Sequence, residues 1–230
     1  MKGLLIGLAL LMGQSAGEAG YKDVSRDAFN PLQHRKWHAD PSCKTPGGST
    51  SVLIGDPPSS SLSVSVADLD TTHLRGGKSV TAVLHIQNVG KDALLLPWAV
   101  DPELIERPDI KGEFRYFEVG LYAALTQPGH QGYFHAPVQL YGAPDVSGTM
   151  LELRPLNWAQ FRIRFPLECK PSPNVCNHLT SGPALLSFHL NESEDTVTYS
   201  KCSIASGSTR VHSVSSQPVK VDVEFPGIVN

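Results

Sequence analysis

His34 and His38 stand four residues apart in His34-Arg35-Lys36-Trp37-His38-Ala39-Asp40, so on a helix their imidazoles would share a face and chelate one metal ion. In the H-E-x-x-H arrangement of metalloproteases the residue after the first His is a Glu acting as general base. Here that place holds Arg35, and Arg35 with Lys36 repels a cation, so a solvated arm is the competing reading. His130 and His135 form a second pair of candidate metal ligands, around Gln131-Gly132-Tyr133-Phe134, on a loop that enters a strand. With Tyr133, Phe134 and Tyr141 this segment is a candidate binding surface; the alternative is ordinary packing of rings over a strand end. Glu192, Glu194 and Asp195 are the closest approach to a paired-carboxylate motif, but Asn191-Glu192-Ser193-Glu194-Asp195 has the composition of a polar hairpin tip. Asn191-Glu192-Ser193 also reads as a glycosylation sequon.

Neither a Gly-x-Ser-x-Gly elbow, nor a phosphate loop, nor a dinucleotide fingerprint occurs. No catalytic residue and no cofactor is assigned on this basis. The four cysteines, Cys43, Cys169, Cys176 and Cys202, are even in number and contain no C-x-x-C pair, which favours disulfides over zinc. Three pairings are possible. Cys169 and Cys176 bracket a loop with two prolines that eases local closure, which leaves Cys43 to Cys202 as a tie between an N-terminal arm and the domain body.

These residues need a scaffold, and the pattern supplies one. Met1-Lys2, the apolar run Gly3 to Gly13 and the small residues that follow have the parts of a secretory signal peptide, with the cut expected after Ala19, and Ser15/Gly17 as the second choice. The run is shorter than the roughly 20 apolar residues that span a bilayer, so no membrane span is expected and the mature product belongs outside the cytoplasm, secreted, periplasmic or on the cell surface. Residues 20–60 carry repeated Pro and Gly and read as an irregular arm or linker. From residue 61 to 230 the period changes to two: Leu62, Val64 and Val66; Val80 to Ile86; Phe117, Val119 and Leu121; Trp158 to Phe165; Leu186, Phe188 and Leu190; Val219 to Phe225. Gln127 to Gly132 reads as a loop between two of them. About nine short strands, each with one polar face, predict an all-β antiparallel sandwich of two sheets, with Leu84, Ile86, Phe161, Ile163, Phe188, Val221 and Val223 on its core faces.

Gly77-Lys78-Ser79-Val80-Thr81-Ala82-Val83-Leu84-His85-Ile86-Gln87-Asn88-Val89-Gly90 resembles an early strand-turn-strand unit of immunoglobulin-like modules in exported bacterial proteins. Leu153-Arg154-Pro155 leading into Trp158 to Ile163, and Ser216 to Val223, are similar to later strands of such modules. The resemblance implies an immunoglobulin-like sandwich and a bias towards adhesion or accessory roles.

The 230 residues carry 19 Lys and Arg against 22 Asp and Glu, a formal net charge of -3, so there is no basic excess for nucleic acid to neutralise. Three functions stay open. One is a non-catalytic binding module acting on a protein or glycan ligand through loops such as Thr126 to Phe134, Gly142 to Thr149 and Cys169 to Gly182. Another is a structural envelope or surface component that self-associates through a sheet edge. The third is a metal-dependent hydrolase or a glycosidase. N-terminal sequencing of exported protein is expected to begin at Gly20; a soluble native product that retains Met1 to Ala19 contradicts the leader.

Overall fold

The structure is a computed structural model, and it describes residues 16–24, 50–54, 61–101, 104–105, 112–167, 179–199 and 204–225. Thirteen strands and no α-helix make up the described residues. A four-stranded sheet runs in the order β1 (Glu18–Asp23), β10 (Trp158–Pro166), β5 (Ser79–Asn88), β3 (Leu62–Leu69). The seven-stranded sheet is built on β11 (Gly182–Tyr199). One edge of β11 carries β13 (Val219–Glu224) and then β12 (Ile204–Ser215); the other carries β7 (Gly112–Gln127), which pairs onward with β8 (His130–Gly142). Outermost lie β2 (Thr50–Ile54) on β12 and β4 (His73–Arg75) on β13. A small pair, β6 (Leu94–Pro97) with β9 (Met150–Leu153), completes the set.

The two large sheets pack face to face because their strands alternate. In β5 every second residue is buried from Val80 to Asn88, and β10 buries Ala159, Phe161, Ile163 and Phe165. Opposite them stand Leu121, Leu125, Leu186, Phe188 and Leu190, with Phe165 meeting Phe188 edge-on at 5.6 Å between ring centres. All seven expected core residues are at most 5 % exposed.

Several expectations change. The pairs β1–β10, β2–β12 and β4–β13 are parallel, so three edge strands depart from the otherwise antiparallel pairing, which the edge strands β3 and β8 keep. Two of these edge strands come from the segment read as an irregular arm. There, the unpaired N–H and C=O groups of a sheet edge override weak local propensity. The cut expected after Ala19 falls inside β1, and Gly20 to Asp23 keep their register against Ala159 to Arg162. Gln127 to Gly132 is no loop: Pro128-Gly129 turns β7 directly into β8, with Gly129 at φ 77°. The polar run Asn191 to Asp195 lies inside β11, where ladders to β7 and β12 on both edges hold residues that would otherwise favour a turn.

Among the described residues five polar side chains are buried, Asn88, Gln127, Thr149, Glu192 and Ser216, and two of them bear on stability. Asn88 is fully buried and satisfied: its amide N–H groups donate to the carbonyls of Asp92 and Leu153, both at 2.8 Å, and its Oδ1 accepts from the Gly90 N–H. It thereby clamps the turn after β5 onto the end of β9. The adjoining turn puts Leu156 at φ 67°, in the left-handed region where a side chain is strained, next to the Asn157 N–H that bonds back to Arg154. Glu192 is 3 % exposed on the core face of β11, opposite His212 of β12 at 3.8 Å. Burial pushes its carboxyl up from 4.5 to about 8 and pushes the His212 imidazole down, so both are neutral at pH 7.

Asn88→Ala leaves two carbonyls and one N–H without their partner and is expected to cost about 2–4 kcal/mol in urea unfolding. A cost within experimental error means that water replaces the amide. For Glu192 the folded state holds a proton that the unfolded chain releases above about pH 4.5. The stability tied to that proton is complete below that pH and is lost as pH rises towards 8. Glu192→Gln is therefore expected to gain stability relative to wild type between pH 5 and pH 8.5; parallel pH profiles for the two proteins would sink the assignment.

Candidate binding face

The residues nominated from the sequence scatter. His34, His38 and all four cysteines lie outside the described residues, as do the side chains of Tyr133, Phe134 and His135 on β8. His130 is exposed at the first position of β8, directly after the hairpin turn. Tyr141 is fully buried and packs with Phe114, Tyr116, Val197 and Ile105 in a second, smaller core. It therefore contributes packing rather than an exposed contact. Glu192, Glu194 and Asp195 do not form one cluster, since strand alternation puts the first two on the core face and Asp195 on the other. The sequon Asn191 is a sheet residue whose amide donates to the Tyr122 hydroxyl at 3.2 Å. Among the described residues no three His, Cys, Asp or Glu side chains converge as a metal site.

What the fold does assemble is the outer face of the seven-stranded sheet, the side of β7 and β11 turned away from the main core. Register places His189 beside Tyr122, Asn191 beside Gly120, and Ser193 beside Glu118; on β8, Gln139 and Tyr141 continue the last two rows. The residues are linked in order. His189 bonds through its two ring nitrogens to Ser215 (2.6 Å) and Ser187 (3.1 Å), and its ring stacks on Tyr122 with 4.9 Å between centres and 6° between planes. Ser213 donates to the Asn191 Oδ1 at 2.8 Å. Tyr141 donates its hydroxyl to the Gln139 Oε1 at 3.0 Å, Gln139 donates its amide to Glu118, and Ser193 donates to Asp195 at 2.7 Å.

Gly120 sits in the middle of this pattern and has no side chain to fill it. A Cβ built there meets nothing within 4 Å, although both sheet neighbours, Asn191 and Gln139, carry amides. The result is a depression floored by backbone. Asn191 and Gln139 flank it about 10 Å apart, twice the strand spacing of about 4.8 Å, with Tyr122 and Glu118 two residues to either side along β7. At the hairpin end the same face opens into an apolar groove of about 700 Å³ lined by Thr126, Pro128, Pro183, Leu185 and Lys220, where Leu185 is 39 % exposed.

Glu118 gives the face its electrostatic character. Burial pushes its carboxyl from 4.5 up to about 7, the neighbouring Asp195 carboxylate adds to the rise, and the hydrogen bond from Gln139 opposes it. Burial also holds His189 below the usual imidazole range, so the ring is neutral at pH 7. The arrangement offers rings, amides, hydroxyls and a carboxyl that changes charge near neutrality. The sequence carried a signal for it in Tyr116, Glu118, Gly120 and Tyr122, which alternate with the apolar positions of β7, but Asn191 was hidden in a run with turn composition.

No protein-family model matches the chain, and no curated protein matches it. Among solved structures, the sporulation control protein Spo0M from Bacillus subtilis is similar over 67% of this chain and 49% of that one, at 15% identity and a TM-score of 0.29. The chain thus spans about half the length of Spo0M, 49% of it. AvmM, described as catalysing macrocyclization in alchivemycin A biosynthesis, is similar over 74% of this chain and 93% of that one, at 9% identity and a TM-score of 0.28. Likenesses this loose carry nothing from those proteins to this one.

Proposed function

We propose that the protein is a secreted, non-catalytic binding module of immunoglobulin-like build that takes its ligand on the outer face of the seven-stranded sheet. The observation that supports this reading is the Gly120 depression: an open gap, held on a rigid sheet, between amides fixed by their own hydrogen bonds. Export follows from the leader-like Met1 to Ala19, and the adhesive bias from the resemblance of residues 77–90 and 153–163. Self-association through the β8 edge is the weaker alternative. That edge carries Pro137, a register irregularity between Leu121 and Ala123 of its partner, and a bridge from Ala99 to Tyr141, all of which obstruct pairing with another strand.

A hydrolase is the second reading, favoured by Glu118, whose carboxyl is pushed up to about 7 by burial with the neighbouring Asp195 adding to the rise, as suits a group that transfers a proton near neutrality. Arrays of immobilised glycans and peptides separate the two. The wild-type protein is expected to be retained without turnover, and Gly120→Val to lose retention while remaining folded, because the new side chain enters open space and a strand gains from losing a glycine. Retention unchanged in Gly120→Val removes the binding-face reading. Turnover of an array substrate that Glu118→Gln abolishes replaces it with the hydrolase.

A further inference from the structure

We infer that the Gly120 depression is a subsite for one ring of a neutral sugar, held between the Asn191 and Gln139 amides. This rests on the binding-face reading and adds the class of ligand. Each amide offers two N–H donors and two lone pairs on its oxygen. Asn191 uses one donor on Tyr122 and one lone pair on Ser213; Gln139 uses one donor on Glu118 and one lone pair on Tyr141. Each therefore turns one donor and one acceptor towards its surroundings, on opposite sides of a gap that Gly120 leaves empty. A hydroxyl donates and accepts at once, so a ring bearing hydroxyls on both sides satisfies both amides together.

The remaining walls agree with that chemistry. Tyr122, stacked on His189, lies on the hairpin side of the gap and bounds it with an aromatic residue, its hydroxyl already accepting from Asn191. Glu118 on the other side accepts hydroxyl hydrogens and, with Asp195 near it, disfavours an anionic ligand. Ser213 and Ser215 extend the hydroxyl-lined surface along β12. A peptide fits less well, because its backbone donors and acceptors pair best with a strand edge, and here the gap lies in the middle of a sheet face.

Titration calorimetry on the full chain, with soluble neutral oligosaccharides built on glucose, galactose, mannose and N-acetylglucosamine and with a peptide pool, tests the assignment. Saturable binding of at least one oligosaccharide is expected, about tenfold weaker in Asn191→Ala and in Gln139→Ala and absent in Gly120→Val. Gly120→Ala, whose small side chain leaves the fold undisturbed, is expected to weaken binding in part, and Arg164→Ala on the far sheet to leave it unchanged. Peptide binding that Gly120→Val blocks, with no sugar bound, overturns the sugar assignment and leaves the binding face standing. Sugar binding that is indifferent to Gly120→Val overturns the subsite. No binding of either class at millimolar ligand overturns both readings.

Discussion

The backbone ladder along β11 is the constraint that the rest of the molecule obeys. One strand of 18 residues supplies hydrogen bonds to β13 and β12 on one edge and to β7 on the other, so three partners take their register from it. Because side chains alternate strictly along such a strand, a slip of one residue would bring Asn191 into the core and put Glu192 outside. Leu186, Phe188 and Leu190, packed against β10 and its neighbours, exclude that slip. Apolar burial on one face thus determines the chemistry available on the other.

The two buried carboxyls on this sheet illustrate the division. Glu192 and Glu118 both rise above the usual carboxylate range, chiefly through burial, but they do so on opposite sides of the sheet. On the core side Glu192 is a cost of continuing a polar sequence through a strand that must stay paired. On the outer side Glu118 stands beside Asp195 and the amide of Gln139, at the margin of the small core around Tyr116 and Tyr141, and stays partly exposed. Similar perturbations therefore arise in different settings, and the topology decides which face of the sheet each carboxyl occupies.

Strand alternation makes much of the sandwich legible in the sequence itself. Leu84 and Ile86 on β5, Phe161 and Ile163 on β10, and Val221 and Val223 on β13 were readable because period-two patterning reports a half-buried sheet directly. Pairings made at sheet edges were not, since β1 and β2 owe their conformation to partners more than a hundred residues away in sequence, β10 and β12. The candidate site was hidden for a related reason. Gly120 and Gln139 look unremarkable in isolation, and Asn191 looks like a turn residue; only cross-strand register, which no local pattern specifies, places the three in one row.

A floor made of glycine with open space above it has a consequence for how such a face can diversify. Other positions on this face are coupled to packing: Tyr116 and Tyr141 belong to the smaller core, so changing them disturbs it. At Gly120 the coupling is absent: its backbone is compatible with any L-residue and nothing lies within 4 Å of where a side chain would begin. Exchanging this one residue for a small or a large one narrows or closes the depression, with no clash where the side chain begins. The relief of this face is thereby separable from the packing that holds the fold together.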